Sequence, residues 1–505
     1  MMYLAPSDAQ LTTAEASGPR LPTGQRQDAT RQLYFALLGE RGSGPGRIDE
    51  LARSASRSFL VEQLQAAAAI DAGFPADLRL LPRVLRDAHA QTAQDFRGYL
   101  DGRHAGAPRR YFSCRAHAMH FLRAVAPTKL VDGAWLYGLL QRSHDPRLAP
   151  LVRTYLEELG CGAAAQNHVL LYRQLLARYG CDHWQDGPDA HFTQGAVQLA
   201  LAHHADAFLP ELIGFNLGYE QLPLHLPITA YELNELDIDP YYFSLHVTID
   251  NASTGHARKA LQSVLDCVPR IGDAADFHRR AALGYQLNLV GMGTQQAIAS
   301  FDLERELLRV LTAKAAVGAH LHSDYCRIGG RLVSDWLSSP GDLPAMLVAL
   351  QSAGWIRRGQ SPEQSRFWHL LTDEQAPMFG VFDGYEHQLI RDWIQTDAGS
   401  VPTVPSINRF RKRPSAGGGA GAAGALPGGA TVWQVIAHHA HHAHDGGLQP
   451  QAGRCAEVDA LFAQLAPVDT QAQAFAVLEG LLSPANHPTP VGLVATRLYA
   501  DLYSR

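Results

Sequence analysis

A histidine and an aspartate four residues apart, His246 and Asp250, stand in the stretch FSLHVTID. On a helix turning about 100° per residue they lie roughly 40° apart on one face, a spacing that can chelate one metal ion. A hydrogen-bonded core pair is the plain alternative. His256 follows six residues later, about 240° round a regular helix. It reaches the same ion only if Ser253-Thr254-Gly255 distorts the helix. Two other stretches offer comparable chemistry. In Tyr155-Leu-Glu157-Glu158-Leu-Gly160-Cys-Gly162 a helix ends at glycines, and Asn167-His168 begins the next, so Glu158 and His168 can meet across a short break. In Gly214-Phe-Asn-Leu-Gly218-Tyr219-Glu220 a carboxylate follows apolar residues, and burial there would demand a cation or hydrogen bonds. Glu211 and Glu232 compete for that role, and an exposed glutamate at a helix end is the structural alternative.

These residues must be positioned by helices. From Arg31 to about residue 300 apolar residues recur at three- and four-residue intervals, as in Ser58–Ala72, Pro150–Glu158, Asn167–Tyr179, Gly195–Glu220 and Gly255–Val268. The pattern predicts a mainly α bundle over 31–300. Residues 1–30 read as a disordered tail. Residues 301–400 read as a smaller α(+β) domain: Leu303–Val317 is amphipathic, and LPAMLVALQSAGWIRRGQSPEQSRFWHLL predicts a helix, a turn and two short strands, a winged-helix-like ending. Residues 401–431 contain the linker SAGGGAGAAGALPGGAT, and 432–505 read as helical near Val432–Ala443 and Val458–Leu482.

The 505 residues are 46% hydrophobic with a net charge of −6, enough for one large core and a smaller one. Acids balance bases along the chain, which argues against a nucleic-acid partner. The lack of a long apolar run and of a signal-peptide pattern argues against a membrane and for the cytoplasm. Six scattered cysteines without a C-x-x-C pair argue against a zinc ribbon, a thioredoxin-like site or a disulfide framework. Carboxylates and imidazoles without thiolates suit iron or manganese, and helical bundles build carboxylate-bridged two-metal sites in their cores.

The order Glu-Leu-Gly, then Asn-His-x-x-Leu-Tyr, then Gly-x-x-x-x-x-Glu, then Phe-x-Leu-His-x-x-x-Asp resembles the haem-oxygenase-like diiron oxidases, the iron-containing redox enzyme family, over about residues 110–290. The resemblance implies a haem-oxygenase-like bundle in which Glu158 and His168 bind one iron, Glu220 bridges with a catalytic role, and His246, Asp250 and His256 bind the second. The Glu158-to-His168 interval exceeds that of compact members, leaving Glu157 as an alternative ligand. The Asp250-to-His256 interval is also longer than in several members. The implied activity is that of an O2-dependent nonhaem diiron oxidase or oxygenase. It uses two Fe(II) ions, O2 as co-substrate and an external reductant or electron donor for N-oxygenation, desaturation or C–C cleavage of a small metabolite. Tyr172, Phe215, Tyr219, Tyr242 and Phe243 are candidates for lining its pocket, or plain core. The number of subunits is open, a homodimer being admissible.

Two histidine groups stand apart. His438-His439-Ala-His441-His442-Ala-His444 follows the linker and reads as an adventitious metal binder, whereas His320, His322 and Asp324 would gather only at a turn. The different-class alternative is a non-catalytic metal-binding or regulatory helical protein with a winged-helix-like module. The absence of bases in Leu343–Ala353 weighs against it. A haem-binding bundle would need a proximal histidine, which RQLYFALLG (Arg31–Gly39) lacks.

Overall fold

The computed structural model describes residues 28–39, 48–249, 255–319, 326–396 and 456–504, with Val432, Gln434, Val435, Ile436 and His439. The expected tail up to residue 27, the linker, Asp250, the group His320, His322 and Asp324, and every histidine of the 438–444 group except His439 lie outside these residues. Among the described residues the fold is mainly α. Its only strands are the two-residue pair Arg327–Ile328 and Arg331–Leu332, antiparallel about Gly329-Gly330.

Helices begin where a side chain takes up a free amide. Asp49 accepts from Ala52 N, Asn167 from Leu170 N and Asp302 from Arg305 N. The helix Glu50–Ala67 buries Ala52, Ser56, Leu60 and Ala67, a single face at near-helical spacing. The segment expected as one helix over Gly195–Glu220 is two, Thr193–His203 and Leu209–Tyr219. Pro210 lacks the N–H that a continuous helix needs and stands instead in the first turn of the second. The two strands expected after Ala353 do not form. Residues 366–372 are a helix, and Phe367, Trp368 and Leu371 bury its inner face. The C-terminal segment breaks into Ala456–Leu465 and Gln471–Leu478, and a further helix, Pro490–Tyr503, follows them.

The bundle core has two clusters. One joins Tyr34, Leu60, Trp135, Tyr155, Ile213 and Phe215 to the C-terminal Leu461, Leu478, Leu498 and Tyr499, so the C-terminal helices belong to the main core. The other gathers Phe121, Tyr172, Leu233, Tyr242 and Phe243. Close approach supports the first. A Cβ on Gly214 would meet Ala281 O at 1.9 Å, so the glycine lets Leu209–Tyr219 lie directly on Ala274–Leu287.

A third cluster, with Leu307, Leu347, Trp368, Leu389 and Trp393, docks on the Arg115–Ala124 helix through Cys114 and Ala116. Polar bonds help hold its first helix. Tyr385 donates to Glu306 at 2.9 Å, and Arg309 grips the same carboxylate at 2.7 and 2.8 Å. Burial alone would raise the Glu306 carboxyl, but Arg309 holds it down to about 2. A carboxyl lowered by folding stabilises above its unfolded value, near 4.5, and loses that contribution as pH falls towards 2. Glu306→Gln is therefore expected to cost about 2 kcal/mol at pH 7, with the gap to wild type narrowing below about pH 4.5 and closing only near pH 2. Urea midpoints across pH check this, and a gap that stays undiminished from pH 5 down to about pH 2 would refute it.

Candidate metal centre

The site lies where the two bundle clusters meet. Glu158 is the last residue of the helix Ala149–Glu158, His168 the first of His168–Arg178, and Glu220 follows Leu209–Tyr219 directly. His246 stands in Tyr241–Ile249 and His256 opens His256–Cys267. His256 thus belongs to a separate helix, so the 240° mismatch of a continuous one does not apply. To these the fold adds Asp132, in the turn before the 3-10 helix Ala134–Arg142. All six are buried, none above 6% exposed.

Their ligand atoms form two groups: Asp132, Glu158, His168 and His246 in one, and Glu158, Glu220 and His256 in the other. Within each group the atoms lie within 4.8 Å of one another. Glu158 belongs to both. One of its oxygens contacts His168 Nδ1, and the other lies 3.1 Å from His256 Nδ1. Glu220 Oε2 is 3.4 Å from His256 Nδ1, while Glu220 Oε1 is buried without a hydrogen-bond partner among the described residues. Gly133, at φ +79°, makes room for Glu158, because a Cβ there would come within 2.9 Å of the Glu158 Cβ.

The imidazoles are oriented as metal ligands are. His246 Nδ1 is 2.8 Å from Tyr242 O, a group that can only accept, so Nδ1 carries the hydrogen. The other nitrogen, Nε2, faces Asp132 Oδ2 at 3.1 Å. A neutral ring would set a lone pair against a carboxylate there, an arrangement that needs a proton or a cation between them. His256 repeats the pattern: Nε2 lies 2.8 Å from the Glu157 carboxylate, and Nδ1 faces Glu158 and Glu220. Such an outer partner fixes the tautomer of a ligating histidine.

Asp132 is anchored by two phenols, Tyr219 OH at 2.7 Å and Tyr242 OH at 2.5 Å. Burial alone would raise the Asp132 carboxyl, but Lys129 and His246 hold it far below the usual range. Glu158 is likewise held low against burial by His168. Burial raises Glu220 instead. His256 is raised despite burial, chiefly by Glu220. Three buried carboxylates facing three imidazoles require positive charge. The donor set, oxygen and imidazole with an unsatisfied Glu220 oxygen, fits iron.

The competing carboxylates are engaged elsewhere. Glu211 pairs with Arg280 at 2.7 Å through both oxygens, and Glu232 accepts the backbone N–H groups of Arg110, Tyr111 and Phe112. Glu157 is 42% exposed at its side chain and pairs with Lys259. The expected pocket-lining aromatics take other places. Tyr219 and Tyr242 hold Asp132, Tyr172 donates to Leu122 O, Phe215 packs on Trp135, and Phe243 packs on Phe121. A cleft of about 510 Å³ reaches His168 and His256 instead between Tyr241, Leu245, Ile249, Gln166, Thr248 and Lys259. His439, of the histidine group that follows the linker, pairs with Asp501 at 2.6 Å.

A mainly α bundle with two carboxylate–imidazole groups sharing one glutamate has the form of a helical metalloprotein. Residues 119–289 match the model of the family described as iron-containing redox enzyme, in line with the haem-oxygenase-like resemblance of the sequence. All six site residues fall inside the match. The family supports an oxidoreductase role. No curated protein and no solved structure matches the chain.

Proposed function

We propose that the protein is an O2-dependent nonhaem diiron oxidase or oxygenase acting on a small metabolite. The observation that carries the proposal is the sharing of Glu158 between two groups of donors. Asp132, Glu158, His168 and His246 would hold one Fe(II), and Glu158, Glu220 and His256 the other. Asp250, outside the described residues, is kept as a ligand on its spacing from His246. Glu158 takes the shared position that the family resemblance gave to Glu220. When bound, the iron pair would supply O2 activation and the oxidising equivalents.

The chain's own residues do the rest. Carboxylate charge favours the oxidised metal. Tyr242 O and Glu157 fix the tautomers of His246 and His256, so that Nε2 of one and Nδ1 of the other are turned inward. Tyr219 and Tyr242 hold Asp132 against rotation. The cleft beside His168 and His256 has the volume of a small-molecule site. Leu245, Ile249 and Tyr241 would shed water from a substrate, and Gln166, Thr248 and Lys259 would orient its polar end. Iron that cycles needs an external electron donor. No described helix is long and apolar enough to cross a membrane, and a cytoplasmic location is proposed with the rest.

Anaerobic Fe(II) titration with metal counting, followed by O2, tests the proposal. Wild type is expected to take up two irons and to develop a transient visible absorbance, whereas His246→Ala should keep at most one iron and lose the absorbance. Failure of wild type to bind iron would refute the reading. Iron uptake without any reaction with O2 would favour a non-catalytic metal-binding protein.

A further inference from the structure

The break between Glu158 and His168 is braced by the far end of the chain. Tyr155 donates to Leu482 O at 2.5 Å, and Arg497 to Gly162 O at 3.2 Å. Gly162 has φ +80°, and a Cβ on it would lie 2.4 Å from Leu493 O and 2.7 Å from Arg497 N, so the Pro490–Tyr503 helix rests on bare backbone there. Between these contacts lies His487, 2% exposed, with its Nδ1 3.0 Å from Asn167 Nδ2.

Asn167 is the hinge of the break. Its Oδ1 accepts from Leu170 N and caps the helix that His168 opens. Its Nδ2 donates to Leu159 O, next to Glu158, and to His487 Nδ1. One carboxamide therefore ties together the backbone on both sides of the site, and His487 fixes its orientation across 320 residues of sequence. Burial pushes the His487 ring down to about 3, so it is neutral and Nδ1 is free to accept.

We propose that His487, in the C-terminal helical segment 456–504, is a positioning residue for the metal centre, acting through Asn167 on Glu158 and His168. The segment lies outside the family match, so the chain would complete its site with an element of its own. The proposal rests on reading Glu158 and His168 as ligands.

Full-length wild type, His487→Leu, His487→Asn and Gln471→Ala test it. Leucine removes the acceptor while filling the space. Asparagine restores an oxygen near the position of Nδ1. Gln471→Ala breaks a bond of the same segment to Leu502 O, away from the break. Hydrogen–deuterium exchange of the metal-free proteins is expected to show amides 163–172 exchanging about tenfold faster in His487→Leu. Anaerobic Fe(II) titration is expected to show binding weakened about ten- to hundredfold, the usual range for an outer partner. Both effects should be largely reversed in His487→Asn and absent in Gln471→Ala.

Exchange and affinity within about twofold of wild type in His487→Leu would overturn the proposal, as would an equal loss in Gln471→Ala. If wild type takes up no iron, the ligand reading fails, whereas the exchange comparison still decides whether His487 holds the break. Should His487→Leu not fold, Arg497→Ala removes the neighbouring contact to Gly162 O from an exposed residue and is expected to give the same pattern with a smaller loss.

Discussion

Glu158→Ala is expected to weaken both iron positions at once and to abolish the two-iron stoichiometry, a larger loss than any other single ligand substitution should give. The carboxylate is the one donor common to the two groups, with one oxygen turned to His168 and the other to His256. Its removal leaves two imidazoles and Asp132 on one side, and Glu220 and His256 on the other, too few to hold two ions. Glu157→Ala is the informative partner. That side chain touches His256 only through Nε2 and is otherwise paired with Lys259 in partial solvent. Its loss should weaken binding about ten- to hundredfold without changing the stoichiometry. Anaerobic titration with metal counting separates the two glutamates. Two irons retained at wild-type affinity in Glu158→Ala, or lost in Glu157→Ala, would reverse their roles.

The second large effect needs no metal. Asp132→Ala is expected to lower the stability of the metal-free protein by about 3–5 kcal/mol, the range for removing one partner from a buried charged network. Two phenols, the half-buried Tyr219 and the buried Tyr242, would lose their acceptor, and Lys129 Nζ, 3.0 Å from Tyr219 OH, would lose the nearby negative charge. Burial and the Asp132 charge raise both phenols well above their usual range, so they are donors throughout the neutral pH range. Asp132→Asn, which keeps one acceptor, should lose less. Chemical denaturation in the presence of a chelator measures both variants. A cost below about 1 kcal/mol for Asp132→Ala would mean that the phenols find other partners.

Much of this centre was legible in the chain. Helix ends at glycines and a cap at Asn167 are local signals, and they located the break between Glu158 and His168. The His-x-x-x-Asp spacing located one helix of the site. Asp132 escaped notice because it stands in a turn, Val-Asp-Gly, where an aspartate followed by glycine is ordinary turn chemistry. Glu211 and Glu232 could be set aside only once Arg280 and the amides of residues 110–112 were seen to occupy them. The strands expected after Ala353 failed because Phe367, Trp368 and Leu371 suit a helical face as readily as a strand, and a short apolar run does not choose between the two.

By itself, the sequence determined the helical class, the donor types and the family resemblance, because periodicity, capping and the identity of oxygen and nitrogen ligands are properties of near neighbours. Only the tertiary structure decided that Glu158 is shared, that Asp132 joins the first group and that His487 reaches Asn167. Those relations join residues up to 320 positions apart, and their distances are set by how closely helices pack, which no local pattern encodes.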